Sequence, residues 1–359
     1  MHKVAPLFIL LAGTLWGMQG IYTRQFNAAG LTSFDIAAIR ICGTGLIALV
    51  ALLILRPRLL KIKLHDLWVF LGSGLISIAS FTCLYYTAIE LTSLGTAAVL
   101  MYIAPAVVTL LSRLIFHEEI TLLKGFALFC AMLGCVFVSG GGGSLGHGTD
   151  TLGLLCGLGS GFAYAFYTIF GAIAMHRGYS PVTLVAWTFI IGSVGVLPLC
   201  SPQRVYEISS GALQLVLLEI LFIIAGALLP YCLYSLGLKY MQAGKASILA
   251  AIEAVAAAIC GLVFFGEPLT INLLIGIGAI ILSVICLNLK RSRVVAAPMQ
   301  GKPSSTADSE INGSLAIRQL KVRQRKLFEE AAALADIMPE DSSEVNPSHS
   351  QEDTTKKRE

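Results

Sequence analysis

The sequence predicts an all-α membrane protein of ten transmembrane helices, arranged as two inverted five-helix repeats, and three observations predict it. The first is composition. Mean hydropathy is +0.80 and 13% of the 359 residues are charged, which is too apolar for a soluble chain of this length. The second is an internal repeat. Cys83-Leu84-Tyr85 returns 149 positions later as Cys232-Leu233-Tyr234. Gly95, Ala97, Leu100, Ile103, Phe116, Glu118 and Thr121 return on the same offset as Gly244, Ala246, Leu249, Ile252, Phe265, Glu267 and Thr270. Repeats of this kind in a membrane chain point to alternating access, with a site where the copies meet. The third is the placement of Lys and Arg. If every span crosses the membrane, Lys3, Arg56, Arg58, Lys61, Lys63, Arg113, Lys124, Arg177, Lys239, Lys245, Lys290, Arg291 and Arg293 share one side, and Arg24 and Arg204 the other. Thirteen against two puts both termini in the cytoplasm.

The elements follow in order. A bilayer core about 30 Å thick needs roughly 20 apolar residues per helix, and strands are not expected because barrel segments would be short and alternating. Segment one, 4–24, follows Lys3 but is too long for a signal-peptide core and lacks a small-x-small cleavage site. Segments two to five fall at about 32–55, 67–89, 93–116 and 121–140. A glycine-rich external linker, 140–150, separates them from segments six to ten, at about 151–175, 181–200, 213–237, 246–265 and 270–289. Five helices per half is an odd number, so the second half runs upside down relative to the first. The repeats are therefore bounded at 1–140 and 151–290. Residues 294–359 form a polar tail with nine basic and eleven acidic residues, expected to be a disordered cytoplasmic segment. Within it Leu315, Leu320, Leu327, Ala331 and Leu334 allow one amphipathic helix around 314–338.

Glycine spacing speaks to packing. Gly13 and Gly17 lie four apart, as do Gly153, Gly157 and Gly161. Small residues at that spacing let helix backbones approach closely where lipid supplies no hydrophobic drive. All nine cysteines fall inside predicted spans, which argues for small apolar filler and against a disulfide framework or a zinc knuckle.

These motifs together resemble the ten-helix EamA-like branch of the drug/metabolite transporter superfamily. The resemblance covers about residues 4–290. It rests on Leu15-Trp16-Gly17, on Tyr102-Ile103-Ala104-Pro105, on Phe116-His117-Glu118-Glu119-Ile120-Thr121, on Ile252-Glu253-Ala254 and, most specifically, on Phe265-Gly266-Glu267-Pro268-Leu269-Thr270 with Gly276. It implies an inverted-repeat carrier of small organic metabolites, usually an exporter of the bacterial inner membrane. It also implies that helices one, three, four, six, eight and nine enclose a cavity while five and ten pack peripherally. The family carries Glu-Pro where this chain has Glu253-Ala254. That removes the proline basis for a kink in helix nine, whereas Pro105 keeps one in helix four.

Ionisable residues deep in a span are costly, at roughly 2.5–3.5 kcal/mol on insertion scales, so they face wet cavities or one another. Arg40 and Glu253 are such residues, opposite in sign and able to pair; Glu219 lies nearer a helix end. Arg40, with its planar fork, is the candidate for gripping a substrate carboxylate. A carboxyl lining a cavity can take up and release a proton, which makes Glu253 the coupling candidate. Trp16, Tyr85, Tyr102, Tyr164, Tyr231 and Tyr234 are aromatic candidates for substrate contact. Gln19, one turn from Trp16, shares its face. The duplicated Glu118 and Glu267 are expected to meet the dipole of the helix that follows each, a structural role.

Other classes fit less well. Gly142-Gly143-Ser144-Leu145-Gly146 matches a Gly-x-Ser-x-Gly elbow, but it lies in the glycine run and no His falls inside a predicted span. There is no Walker loop for ATP-driven pumping, and polar residues are too scattered for a channel. A non-transporting scaffold that uses the tail is the remaining alternative to a carrier, and import by the same fold the alternative to export. The expected partners are a small-molecule substrate and the lipid bilayer, with no nucleic acid and no cofactor or metal. A homodimer is compatible with the sequence.

Overall fold

The protein's structure, a computed structural model, is described over residues 4–139 and 150–288. The linker at 140–149, the tail with its amphipathic segment, and Lys3, Lys290, Arg291 and Arg293 lie outside the described residues. The described residues are almost entirely helical and contain no strand. Among the described residues eight helices are long and apolar enough to cross a membrane: α1 (Ala5–Ala28), α2 (Ser33–Leu55), α3 (Leu64–Leu91), α4 (Gly95–Phe116), and then, past a shorter α5 (Leu122–Val138), α6 (Thr151–His176), α7 (Pro181–Leu199), α8 (Leu213–Tyr240) and α9 (Ala243–Phe265). The chain closes its described part with α10 (Ile271–Asn288), apolar and short like α5. A small helix, Pro202–Ser210, separates α7 from α8. The protein is thus an all-α membrane protein with repeats.

Local sequence sets the helix starts. Thr32 and Asp35 form a capping box on α2, with the Asp35 N–H donating to Thr32 Oγ1 at 3.3 Å and the Thr32 N–H to Asp35 Oδ2 at 3.1 Å. Thr121 and Thr270, the repeated threonines, accept from Lys124 N and Leu273 N at 3.2 Å each. These side chains satisfy N–H groups that a helix start otherwise leaves without partners. The repeat reappears at the helix ends. His117 closes α4 at φ 55° and Gly266 closes α9 at φ 63°. His tolerates this left-handed position better than most residues with a Cβ.

The helices are interrupted at matched places. In α3 the segment Gly72–Ala79, and in α8 the segment Ile224–Leu228, take the wider π-type turn. Helix α4 breaks at Tyr102 and Ile103, and α9 breaks at Ala251, which is Tyr102 plus the repeat offset. The break in α9 therefore forms without a proline. Its backbone tightens as that of α4 does, with Ala251 N donating to Ile248 O and Ala254 N to Ala251 O, as Ile103 N does to Leu100 O and Ala106 N to Ile103 O in α4, three-residue bonds typical of a local 3₁₀ turn.

Packing pairs each repeat with the other. Helix α1 lies against α8 and α9, while α6 lies against α3 and α4. The glycines explain how close these crossings are. A Cβ at position 17 would stand 2.5 Å from the Glu253 carbonyl oxygen, and one at position 161 would stand 3.0 Å from the Met101 carbonyl oxygen. Both are backbone approaches that only a missing side chain allows. Gly17→Ala is expected to destabilise the protein by about 1–3 kcal/mol, the usual cost of overpacking, because backbone cannot step aside as a side chain can. Thermal unfolding of the purified variant in detergent checks this. Helices α5 and α10 pack on each other and turn Leu122, Phe126, Phe129, Ile271 and Leu274 outward.

Charged contacts sit at the two ends of the bundle. On the face rich in Lys and Arg, Asp66 pairs with Arg177 and accepts from the Tyr179 hydroxyl at 2.6 Å. Burial and that carboxylate push the Tyr179 phenol up, so it stays a donor at neutral pH. On the opposite face Asp35 accepts from Arg204 at 3.0 Å and from Ser201 N at 2.9 Å.

Candidate functional site

At the centre of the bundle a small chamber, about 10 Å³, is walled by Trp16 of α1, Ser77, Ile78 and Phe81 of α3, Tyr164, Tyr167 and Thr168 of α6, and Tyr231 and Tyr234 of α8. This is space for roughly one water. The rings hold one another. Trp16 meets Tyr231 edge-on at 4.9 Å between centroids and Tyr234 at 5.3 Å; Tyr167 meets Tyr231 edge-on at 4.9 Å. Hydroxyl pairs fix their tilt: Tyr167 with Ser235 at 3.0 Å and Thr168 with Tyr234 at 2.8 Å. Buried tyrosines ordinarily find such partners.

Two polar groups flank the aromatic wall. The Tyr164 hydroxyl donates to Glu253 Oε2 at 3.3 Å. Arg40 Nη1 donates to Gln19 Oε1 at 2.7 Å, and Gln19 Nε2 donates to the Gly226 carbonyl at 3.2 Å. Gly226 lies in the π-type turn of α8. Such turns leave carbonyls free for side chains, and Gln19 uses one to carry Arg40 to the chamber's edge. Seven buried side-chain atoms among the described residues have no protein hydrogen-bond partner: Trp16 Nε1, Ser77 Oγ and Arg40 Nε here, and the hydroxyls of Thr44, Thr109, Ser247 and Ser283 outside the chamber lining.

The sequence candidates divide accordingly. The structure brings Trp16, Tyr164, Tyr231 and Tyr234 together as lining, with Gln19, Arg40 and Glu253 beside them. Tyr85 stacks on Phe81 at 5.3 Å and stands behind it. Tyr102, at the break in α4, packs with the cluster that contains Ala251 and Ile252. Arg40 and Glu253 do not form an ion pair: each spends its described bond on a neutral neighbour, Gln19 and Tyr164. The lining residues that sequence reasoning left out of the site are Ser77, Ile78, Phe81, Tyr167 and Thr168. Tyr167 and Thr168 are the i+3 and i+4 neighbours of Tyr164, so helical spacing carried the signal.

The duplicated carboxylates are placed differently from expectation. Glu118 does meet a helix start, but that of α9 in the other half. Its Oε1 accepts from Ala243 N at 2.7 Å and its Oε2 from Gly244 N at 3.3 Å and Lys124 Nζ at 2.9 Å. Thr121 already caps the following helix, α5. Glu267 pairs with Arg24 and caps no helix here. A second cavity of about 600 Å³ opens on the basic face beside Glu118, lined also by His117, His176 and Lys239. Among the described residues no three His, Cys, Asp or Glu side chains converge as a metal site would require.

Comparison with known proteins decides the family. The profile of the EamA-like transporter family matches residues 3–140 and again residues 151–289. The chain belongs to the EamA-like transporter family. EamA-like relatives include the uncharacterized inner membrane transporter YicL of Salmonella typhimurium, 24% identical over 80% of this chain and 96% of its own. An uncharacterized transporter of Archaeoglobus fulgidus is 31% identical over 55% of this chain and 68% of its own. The threonine/homoserine exporter RhtA of Escherichia coli is 28% identical over 57% of this chain and 66% of its own. A crystal structure of another protein superposes with a TM-score of 0.66 at 16% identity, covering 80% of this chain and 97% of its own; at that identity the likeness is one of fold. This EamA-like chain is therefore a multi-pass membrane transporter of small molecules and not an enzyme.

Proposed function

We propose that the protein exports an amino acid or a related small metabolite by alternating access, as a secondary transporter of the bacterial inner membrane. Its face rich in Lys and Arg is cytoplasmic, as are both termini, and its two halves run in opposite senses through the bilayer. The observation that carries this reading is the central chamber. It lies where α1 and α3 of one repeat meet α6 and α8 of the other, and its polar atoms Trp16 Nε1 and Ser77 Oγ, like Arg40 Nε beside it, are buried without a protein partner. Buried donors without acceptors are costly, and a substrate carboxylate or hydroxyl would satisfy them. Arg40, steadied by Gln19, grips that carboxylate, and the aromatic rings shape the apolar remainder of the site. Glu253 takes up and releases the coupling proton, with Tyr164 as its donor partner. The RhtA likeness supports an amino-acid cargo. The test is flux by the full chain in liposomes against a panel of labelled amino acids under an imposed pH gradient. Gradient-dependent movement toward the side opposite the basic face is expected. Movement of none of them under any gradient would overturn the amino-acid cargo.

A further inference from the structure

We propose that Glu118 and Glu267 are a pair of alternating latches. Each closes one face of the carrier by capping the first turn of a half-helix in the other repeat. Glu118 caps α9 to close the cytoplasmic face, and Glu267 caps α4 to close the external face. Arg24 holds Glu267 aside while that face is open. The proposal rests on the alternating-access reading above and assigns it a mechanism.

The two carboxylates leave the backbone from the same local fold. The N–H groups of His117 and Glu118 converge on the Ser112 carbonyl, and those of Gly266 and Glu267 converge on the Gly261 carbonyl. Ser112 and Gly261 are themselves one repeat offset apart. From matched starting points the side chains reach unmatched ends. Glu118 is 9% exposed and takes three donors, two of them the first N–H groups of α9. The Glu267 side chain is 47% exposed and pairs with Arg24, whose guanidinium also lies 3.8 Å over the Phe265 ring.

The repeat supplies the position that Glu267 would fill. Ala243 and Gly244 correspond to Leu94 and Gly95, which begin the external half of α4. At Gly244 a Cβ would stand 2.6 Å from Lys124 Nζ and 3.1 Å from Ser112 Oγ. Glycine there makes the room that the closed latch occupies. Gly95 repeats that room, yet in this structure a Cβ there would meet the Ser139 carbonyl and nothing of α9.

Helix packing agrees. The cytoplasmic half of α4, Ala104–Phe116, packs along the cytoplasmic half of α9, Ala243–Ala250. The external halves, Leu94–Met101 and Ile252–Phe265, lean on α6 and α1 respectively. In this structure Glu118 caps α9 at the cytoplasmic end, beside the cavity on that face, while Glu267 caps no described helix at the external end. A carboxylate at a helix start favours the capped state through the oriented backbone dipoles, and its release favours the other.

The test is hydrogen–deuterium exchange of the full chain in nanodiscs, read at the face opposite each substitution so that loss of a local cap does not enter. Glu118→Gln should slow exchange at the external mouth, residues 91–98. Glu267→Gln should slow it at the cytoplasmic mouth, residues 239–247. Arg24→Ala frees Glu267 to close its face, so it should quicken exchange at the cytoplasmic mouth. Each shift in protection should be roughly tenfold. Arg24 and Glu267 are partners in one ion pair, and opposite signs from their two substitutions are what a plain salt bridge does not give. Because Glu118→Gln leaves Lys124 buried without its carboxylate, the double variant with Lys124→Met carries the same reading if the single one folds poorly. If Arg24→Ala and Glu267→Gln move the far face in the same direction while Glu118→Gln behaves as stated, the latch assignment fails and alternating access stands. If no variant moves its far face, both fall.

Discussion

Glu253→Gln will leave the protein folded and lower transport driven by a pH gradient by roughly 5- to 150-fold, the range set by a typical coupling free energy between two bound species. Glutamine has nearly the same shape and keeps an oxygen to accept the Tyr164 hydroxyl, now at 3.3 Å. It cannot take up or release a proton. Binding of substrate and exchange of labelled for unlabelled substrate, which need no net proton movement, should persist. The measurement compares gradient-driven flux and equilibrium exchange in the same proteoliposomes. A variant whose flux follows the pH gradient as the parent's does would remove Glu253 from coupling and leave Glu219 as the intramembrane carboxyl to examine.

Lys124→Met will destabilise the folded protein by about 3–5 kcal/mol, because breaking a buried pair leaves its other charge uncompensated. The Lys124 side chain is 1% exposed and that of Glu118 is 8% exposed. The lower part of the range is expected, since Glu118 keeps the N–H groups of Ala243 and Gly244 as donors. Adding Glu118→Gln to Lys124→Met should restore much of the loss, because a neutral amide beside the same N–H groups carries no unpaired charge. Thermal unfolding of the two single variants and the double in detergent gives the cycle. Additive losses would mean that the pair is not coupled.

Much of the architecture was legible because membrane solvation writes it into composition. Apolar runs, the 149-residue offset and glycines at intervals of four each report a physical requirement of helices in lipid. Trp16 and Gln19 could be read as one face, and both do reach α8. What could not be read were distances between elements far apart in sequence. Arg40 and Glu253 are opposite charges in the interior, yet each settled on a neutral neighbour. Glu118 reached across to α9, whose start Gln242 leaves without a side-chain cap. The break in α9 had no proline to announce it, and the π-type turns in α3 and α8 leave no residue signature of comparable strength. Those turns help place Phe81 on the chamber wall with Tyr85 behind it, which simple helical counting does not foresee.

The abutting pair α5 and α10 has a consequence for the surrounding lipid. Helix α5 has 17 residues, a rise of about 26 Å, against a hydrocarbon layer near 30 Å. Over the described residues its partner is hardly longer, and both turn leucine, isoleucine or phenylalanine outward. Acyl chains beside this pair must shorten to meet it, so the leaflet is pinched on one flank of the protein while the longer helices elsewhere meet it at full thickness. Such mismatch carries a small cost per ångström. The carrier will therefore sit more comfortably among short-chain lipids, with a thinned annulus marking the α5–α10 side.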